Sequence, residues 1–252
     1  MDLQIEGRVA LITGASKNLG RQIAIQLASE GARIIAVARD ENALELLLSE
    51  LPGPKNNHLI LGIDLLEEGG VSQLISSLKN SNFSPDIVIH NLGGSLKVVD
   101  PFSEVEKWNI VWQYNIGVAI AINNFVIPRM VEKHFGRIIH ISTLSTQSQQ
   151  GYAPYVSAKY ALEGYVKTVS QTVSQHNVVI NAIAPGLLDI EDRYYGRMKR
   201  ENLPKLNEYF SHYLPIKRMG SLEEIAILVT FMASQHSSFM PGSIIRIDGG
   251  GR

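Results

Sequence analysis

The chain has 252 residues, 45% of them hydrophobic and 19% charged, with a formal net charge of −1 and no cysteine. This length allows one α/β domain that buries about 70–75% of its unfolded surface without a metal or disulfide to hold it. The balanced charge gives no basis for binding nucleic acid or an anionic membrane, and the lack of cysteine excludes disulfides, thiolate zinc sites and thiol nucleophiles. Met1 to Glu6 has no basic stretch followed by an apolar core, and the most apolar mid-chain run, Ile116 to Ile122, is far short of the ~20 residues of a membrane span. A cytoplasmic protein is expected.

Strands and helices alternate from the start. Val9 to Thr13 is a short apolar run ending at Gly14, which predicts a buried strand. Leu19 to Ser29 has helical spacing and stops at Gly31. Arg33 to Ala38 predicts a second strand, and Asp40 to Leu51 a second helix ended by Pro52 and Gly53. His58 to Ile63 and Glu67 to Lys79 give the third strand and helix, and Pro85-Asp86 introduces a fourth strand, Ile87 to His90. Ser103-Glu-Val-Glu106 has the form of a capping box opening a long helix toward Val131. Arg137 to Ile141 predicts a fifth strand, Tyr155 to about Ser174 a helix, and Val178 to Ile183 a sixth strand. Residues 187 to 218 break the rhythm; Ser221-Leu-Glu-Glu224 then caps another helix, and Ser243 to Ile247 forms a seventh strand. Short apolar strands separated by helices imply a doubly wound, seven-stranded parallel sheet with helices on both faces, in a single α/β domain over residues 1–252.

Thr13-Gly-Ala-Ser-Lys-Asn-Leu-Gly20 lies between the first strand and the first helix, where a dinucleotide diphosphate meets a helix N-terminus. Gly14 lets the chain turn, Gly20 lets the helix pack close to the sheet, and Ser16, Lys17, Asn18 and Leu19 complete the turn. Taken alone, such a loop also fits a simple strand-to-helix connection. The second strand ends at Val37-Ala38-Arg39, where an NAD site usually places an acid. Arg39 could instead pair with a 2′-phosphate and Lys17 could approach it, the alternative being that both are solvated surface charges.

Tyr155-Val-Ser-Ala-Lys159 puts two side chains four apart at a predicted helix start, on one face. It follows a strand ending Ile141-Ser-Thr-Leu-Ser145 and is preceded by Asn115 in Tyr114-Asn-Ile-Gly117. Reducing a ketone needs hydride on carbon and a proton on oxygen. A phenol, with a reference pKa of about 10, exchanges its proton poorly near neutrality, and a lysine beside it favours the phenolate.

The turn at Gly14 resembles the Thr-Gly-x-x-x-Gly-x-Gly turn of the short-chain dehydrogenase/reductase family, with Asn18, which tolerates positive φ, in place of the middle glycine. The strand, serine/threonine, tyrosine and lysine elements resemble the family's catalytic set in the same order. The resemblance covers almost the whole chain and extends to Asn181-Ala-Ile-Ala-Pro-Gly186, Arg218-Met-Gly-Ser-Leu-Glu-Glu-Ile-Ala226 and Ile247-Asp-Gly-Gly250. Among members the chain is most similar to single-domain reductases related to 3-oxoacyl-acyl carrier protein reductase.

The resemblance implies a Rossmann fold and an NADP(H)-dependent oxidoreductase that interconverts a ketone and a secondary alcohol on a polar small molecule or carrier-linked substrate. It implies that Tyr155 is the proton donor, that Lys159 is its partner and holds the nicotinamide ribose, and that Asn115 holds a relay water. The family's serine falls on Thr143 when counted from the strand and on Ser142 when counted back from Tyr155; the strand register favours Thr143. Cofactor contacts are implied for Asp64 with Leu65, for Asn91-Leu92-Gly93, and for Pro185, Gly186 and Leu188. His90 stands where the family has an Asn, and Ile190 where it commonly has a Thr. The family's acidic slot is Ala38, and its basic pair, here Lys17 and Arg39, goes with NADPH. No metal is expected, because His90 lacks partners at ligand spacing.

Residues 187 to 218 correspond to the substrate lid, facing a wall expected from Gln147, Ser148, Gln149 and Gln150 and from Ser95 to Val98. Ile116 to Val126 and Ala161 to Val173 are apolar on more than one face, and the matching helices of the family pair across an interface, so a homodimer or homotetramer is expected. The departures from the family's pattern keep two other readings open: an NADP(H)-binding sensor or partner protein with little turnover, and an epimerase or dehydratase using the same site.

Overall fold

Runs of four to eight mostly apolar residues, each followed by a helix, can bury themselves only in a sheet covered on both faces. In the computed structural model, which describes residues 1–251, seven strands form one parallel sheet in the order β3-β2-β1-β4-β5-β6-β7. The strands are β1 (Val9–Thr13), β2 (Arg33–Ala38), β3 (Leu59–Gly62), β4 (Ile87–His90), β5 (Gly136–Ile141), β6 (Val178–Pro185) and β7 (Ile244–Ile247). The order reverses between β1 and β4, which opens a crevice at the carboxyl ends of the strands.

Alternation along each strand sends its side chains to two cores. Ala10, Ile12, Ile34, Ala36 and Ile89 pack under α1 (Asn18–Ser29) and α10 (Leu222–Met232). Leu11, Ile35, Val37, Val88 and Ile180 pack on the other face under α3 (Gly70–Lys79), α5 (Val118–Glu132) and α7 (Ala153–Val173). A separate small core of Leu206, Phe210, Leu214 and Met219 supports α8 (Tyr194–Glu201) and α9 (Leu203–Tyr213), which occupy the segment without strand–helix rhythm. The sheet class, strand number and order of elements agree with the sequence reading, and the differences lie at element ends.

The capping box expected at Ser103 does not form. Asp100 takes over the turn, its side chain accepting from Phe102 N at 2.8 Å and its carbonyl from Ser103 N at 3.2 Å. The helix α4 (Val105–Trp112) then starts after Glu104 with no side-chain cap, and Ser103 Oγ is buried without a partner. At Ser221 the box is complete: Ser221 Oγ accepts from Glu224 N at 3.1 Å, and Glu224 accepts from Ser221 N at 2.8 Å. Gly69, in the left-handed region with φ 81°, delays α3 to Gly70. Pro154 sits in the first turn of α7, where its missing N–H is not needed, and α7 begins ahead of Tyr155.

The expected long helix is α4 and α5 joined by a π-helical turn, Gln113–Gly117. Counted as one run, Val105–Glu132 is long and apolar enough for a membrane span by length and composition, unlike the short stretch read from the sequence. Half of its most apolar 18-residue window is buried within the protein, and α5 lies against α3, β5 and β6.

Candidate active site

The turn after β1 has the form that a close-approaching anion requires. Gly14 has φ 67° and its N–H donates to Val37 O at 2.8 Å. Asn18 has φ 50°, the left-handed conformation a glycine would otherwise supply. At Gly20 a Cβ would stand 2.2 Å from Gly14 O, so only glycine lets α1 press against the turn. The N-cap of α1, Lys17, makes no side-chain cap and the first helical turn carries no acid, which leaves backbone N–H groups and the positive end of the helix for a ligand.

Thr13 and Asn91 brace this turn. Asn91 Nδ2 donates to Thr13 O and Gly14 O, both at 3.1 Å, and the backbone N–H groups of Asn91 and Leu92 both donate to Thr13 Oγ1 at 3.1 Å. Arg39 is 75% exposed and lies 3.5 Å from Asp64, whose other oxygen accepts from Leu66 N at 2.9 Å. An exposed pair at that distance contributes little and leaves the guanidinium available.

A cleft of about 830 Å³ runs from this end to Tyr155. Of the residues singled out in the sequence, Gly14, Ser16, Lys17, Asn18, Leu19, Arg39, Asp64, Leu65, Asn91, Leu92 and Gly93 line it. So do Ser142, Thr143, Tyr155, Pro185, Gly186 and Leu188. Gly20, Asn115 and Lys159 stand behind its wall. The expected wall at Gln147 to Gln150 is not part of the lining; Ser145, Gly151 and Tyr152 take that place, with Ser95 and Leu96 opposite. From the segment 187–218 only Leu188, Ile190 and Arg193, near its start, reach the cleft. Tyr194, Tyr195, Tyr209 and Tyr213 instead pack against one another at edge-on and tilted angles, successive centroids 5.0 Å apart.

The π-helical turn carries Asn115 inward. Its Nδ2 donates to Val111 O at 2.8 Å and Gly94 O at 2.9 Å, and its Oδ1 accepts from Gly94 N at 3.0 Å. Gly93 lies so close that a Cβ would stand 2.8 Å from Asn115 Oδ1 and 3.1 Å from Lys159 Nζ. Lys159 is 3% exposed, donates to Ile141 O at 2.7 Å and sits 5.9 Å from the centre of the Tyr155 ring. Burial lowers its pKa to about 8, opposed by the charge of Glu163 one helical turn on. The expected lowering of the Tyr155 phenol is outweighed in this structure: burial raises it, against a hydrogen bond from Thr143 and the charge of Arg193.

Ser142 and Thr143 diverge, as neighbours at a strand end do. Ser142 Oγ donates to Glu163 Oε1 at 2.6 Å in a buried pair. The same carboxylate oxygen lies 2.8 Å from Thr146 Oγ1. Thr143 Oγ1 donates to Ser145 Oγ at 3.3 Å, accepts from Ser145 N at 3.2 Å and lines the cleft together with Tyr155.

Two side-chain groups escaped the sequence reading. Glu163 carried one usable signal, an acid four residues after Lys159 and so on the same buried face. Beneath Lys159, His90 on β4 stacks on its β5 neighbour His140, centroids 4.5 Å apart. His90 Nε2 lies 2.8 Å from Asn123 Oδ1, and Asn123 Nδ2 donates to Tyr165 Oη at 3.0 Å. Burial lowers His90 to about 4 and holds His140 well below the usual range, so both are neutral near pH 7. Only strand pairing brings them together, which no linear spacing reveals.

A family model described as enoyl-(acyl carrier protein) reductase matches residues 14–251. The 3-oxoacyl-[acyl-carrier-protein] reductase of Escherichia coli is 28% identical over 249 residues, 98% of each chain. Its Thermotoga maritima counterpart is 27% identical over 98% of this chain and 99% of that one. Among solved structures, L-sorbose reductase from Gluconobacter frateurii, complexed with NADPH and L-sorbose, superposes with a TM-score of 0.89 at 29% identity, covering 100% of this chain and 98% of that one. A 3-oxoacyl (acyl-carrier-protein) reductase from Agrobacterium tumefaciens with NADP bound gives a TM-score of 0.89 at 26% identity over 98% of this chain and 95% of that one. With the fold, the glycine turn and the tyrosine–lysine helix in place, a match over nearly all residues means that the chain belongs to the short-chain dehydrogenase/reductase family.

Proposed function

We propose that the protein interconverts a ketone and a secondary alcohol with NADP(H), on a polar small molecule or a carrier-linked substrate. The observation that carries this reading is one cleft with two chemically distinct ends. At one end the Tyr155 phenol and the Thr143 hydroxyl line the wall together; at the other, Lys17 and Arg39 flank the uncapped N-terminus of α1. A dinucleotide fits the space between, with its diphosphate at the turn and a 2′-phosphate at Arg39. The relatives named as reductases and the neighbours holding NADPH or NADP support the same assignment.

When bound, NADPH supplies the hydride. Tyr155 Oη gives its proton to the carbonyl oxygen as that oxygen gains charge, and its raised pKa keeps the proton in place until then. Thr143 Oγ1, already accepting from Ser145 N, turns its own hydrogen to the same oxygen. The sequestered Ser142 hydroxyl holds Glu163 in place. Lys159, fixed on Ile141 O, keeps a positive charge behind the phenol and has further N–H groups for a ribose hydroxyl. Asn115 latches Gly94 to the π-helical turn and so fixes the wall in front of Lys159. The start of the 187–218 segment, with Ile190 and Arg193, covers the substrate end.

The fold leaves Ile110 and Trp112 on α4, Tyr160 on α7 and Phe239 before β7 exposed, and a helix pair carrying such surface favours a homodimer or homotetramer. Light scattering at micromolar concentration tests this, and a monomer refutes it. A chain without cysteine that uses NADPH fits a reducing cytosol, which supports a cytoplasmic reading. The reaction itself is tested by following NADPH absorbance across a panel of ketones. Consumption by the unmodified protein that disappears in Tyr155→Phe supports the assignment, and binding of NADPH with no turnover of any ketone refutes it.

A further inference from the structure

We infer that Arg193 is the substrate-selecting group of this site and takes a carboxylate carried a few bonds from the reacting carbonyl, so that oxo acids and the matching hydroxy acids are the preferred substrates. This rests on the ketone–alcohol reading above.

Arg193 precedes α8 and lines the cleft together with Thr143, Tyr152 and Tyr155. The basic residues of α8 are already engaged. Lys199 pairs with Asp189 at 2.5 Å and Arg200 with Glu191 at 2.9 Å, while Arg197 donates to Asp192 O at 3.0 Å. The Arg193 guanidinium has no acid within ion-pair distance among the described residues. The acids of the cleft lie at the other end: Asp40 caps α2 (Glu41–Glu50) through Ala43 N, and Asp64 faces Arg39. The end that holds Tyr155 is therefore lined by hydroxyls, apolar groups and one unengaged cation.

That cation is also near the chemistry. Its positive charge acts on the Tyr155 phenol, whereas Lys17 and Arg39 sit beside the glycine turn at the far end. An anion held by Arg193 thus lies within a few bonds of a carbonyl placed on Tyr155 and Thr143. A planar guanidinium binds a carboxylate through two parallel hydrogen bonds, which adds direction to charge and fixes which face of the ketone is presented. A neutral sugar or an alkyl ketone leaves it unused. Both the starting ketone and the product carry the carboxylate, so the contact acts through KM more than through turnover.

The test uses acetoacetate and levulinate against their methyl esters, with NADPH oxidation followed in the unmodified protein, Arg193→Met and Arg193→Lys. The acids should exceed the esters in kcat/KM by about 10-fold or more, the size of one charge-assisted contact. Arg193→Met should raise KM for the acids far more than for the esters and so erase the preference; Arg193→Lys should restore part of it. Esters reduced as well as acids by the unmodified protein would overturn the inference. So would a Met variant that keeps the preference, or one that weakens NADPH itself, which would make the cofactor diphosphate the partner of Arg193. If NADPH binds but no ketone is consumed, the reductase reading fails separately. Calorimetric titration of the NADP-loaded protein with the same carboxylates then decides the site: binding lost in Arg193→Met supports it, and equal heats in both proteins overturn it.

Discussion

Replacing Glu163 by Gln should move the alkaline limb of this protein's pH profile to lower pH. Glu163 and Lys159 are both buried, at 6% and 3% exposure, and lie one turn apart on α7. The other titratable groups around Lys159 are Tyr155 on the same helix and the imidazoles of His140 and His90 beneath, both neutral near pH 7. The ammonium is therefore held charged against its own desolvation by one carboxylate, and even so its pKa falls to about 8. Two unit charges about 6 Å apart, the separation of helix positions one turn apart, interact by roughly 2.8 kcal/mol at an effective dielectric of about 20, or about two pK units. Relaxation around the amide reduces this, and a fall of at least about one unit is expected. The sign follows from the charge. Without the carboxylate the ammonium is disfavoured, so Lys159 loses its proton at a lower pH and the limb moves to the left. Gln retains an oxygen for Ser142 Oγ and nearly the same volume, so the melting temperature should fall much less than in Glu163→Ala. The assay is NADPH fluorescence titration from about pH 6 to about pH 10, with kcat over the same range on any ketone that is turned over. A limb that stays in place in a folded Glu163→Gln protein would show that Glu163 does not hold the charge on Lys159.

Three further substitutions test the proposed roles. Tyr155→Phe removes one oxygen and should bind NADPH nearly as before while turning over about 10²–10⁴-fold more slowly, whereas Lys159→Met should impair both, as titration and NADPH oxidation would report. Thr143→Ala should lower turnover by about 10²–10³-fold, and Ser142→Ala should act on stability, losing a buried hydrogen bond to a carboxylate worth on the order of 1–3 kcal/mol in thermal melts; a severe loss of turnover in Ser142→Ala alone would reverse the two assignments. Arg39→Asp should weaken NADPH by at least about 10-fold and leave NADH little changed, since one charge-assisted contact to phosphate is worth about 1.5–3 kcal/mol, and equal affinity of the unmodified protein for both nucleotides would refute the role given to Arg39.

Where a residue's conformation is set by chain-local geometry, the sequence disclosed it. The glycine turn is such a case, because the left-handed φ of Asn18 and the contact at Gly20 depend on neighbours within eight positions, and Asn is among the few side chains that accept that φ. The sheet is another, because strands buried on both faces must be apolar throughout. Ser103 misled because two polar groups competed for one helix start, and Asp100, three positions earlier, offered the stronger turn. For Ser142 and Thr143 the two counts disagreed, because loop length shifts one of them, and the strand register favoured Thr143. Glu163 engages the Ser142 hydroxyl, which supports that choice and which no spacing disclosed. Glu163 and the His90–His140 pair escaped for the same reason. A buried charge or imidazole is set by what surrounds it in three dimensions, and the strand register that stacks His90 on His140 joins residues fifty positions apart. Position 90 departs from the family's asparagine, and its imidazole is buried, stacked on His140 and 2.8 Å from Asn123 Oδ1. Burial keeps both imidazoles neutral near pH 7, so the carboxylate of Glu163 is the charge that opposes the desolvation of Lys159.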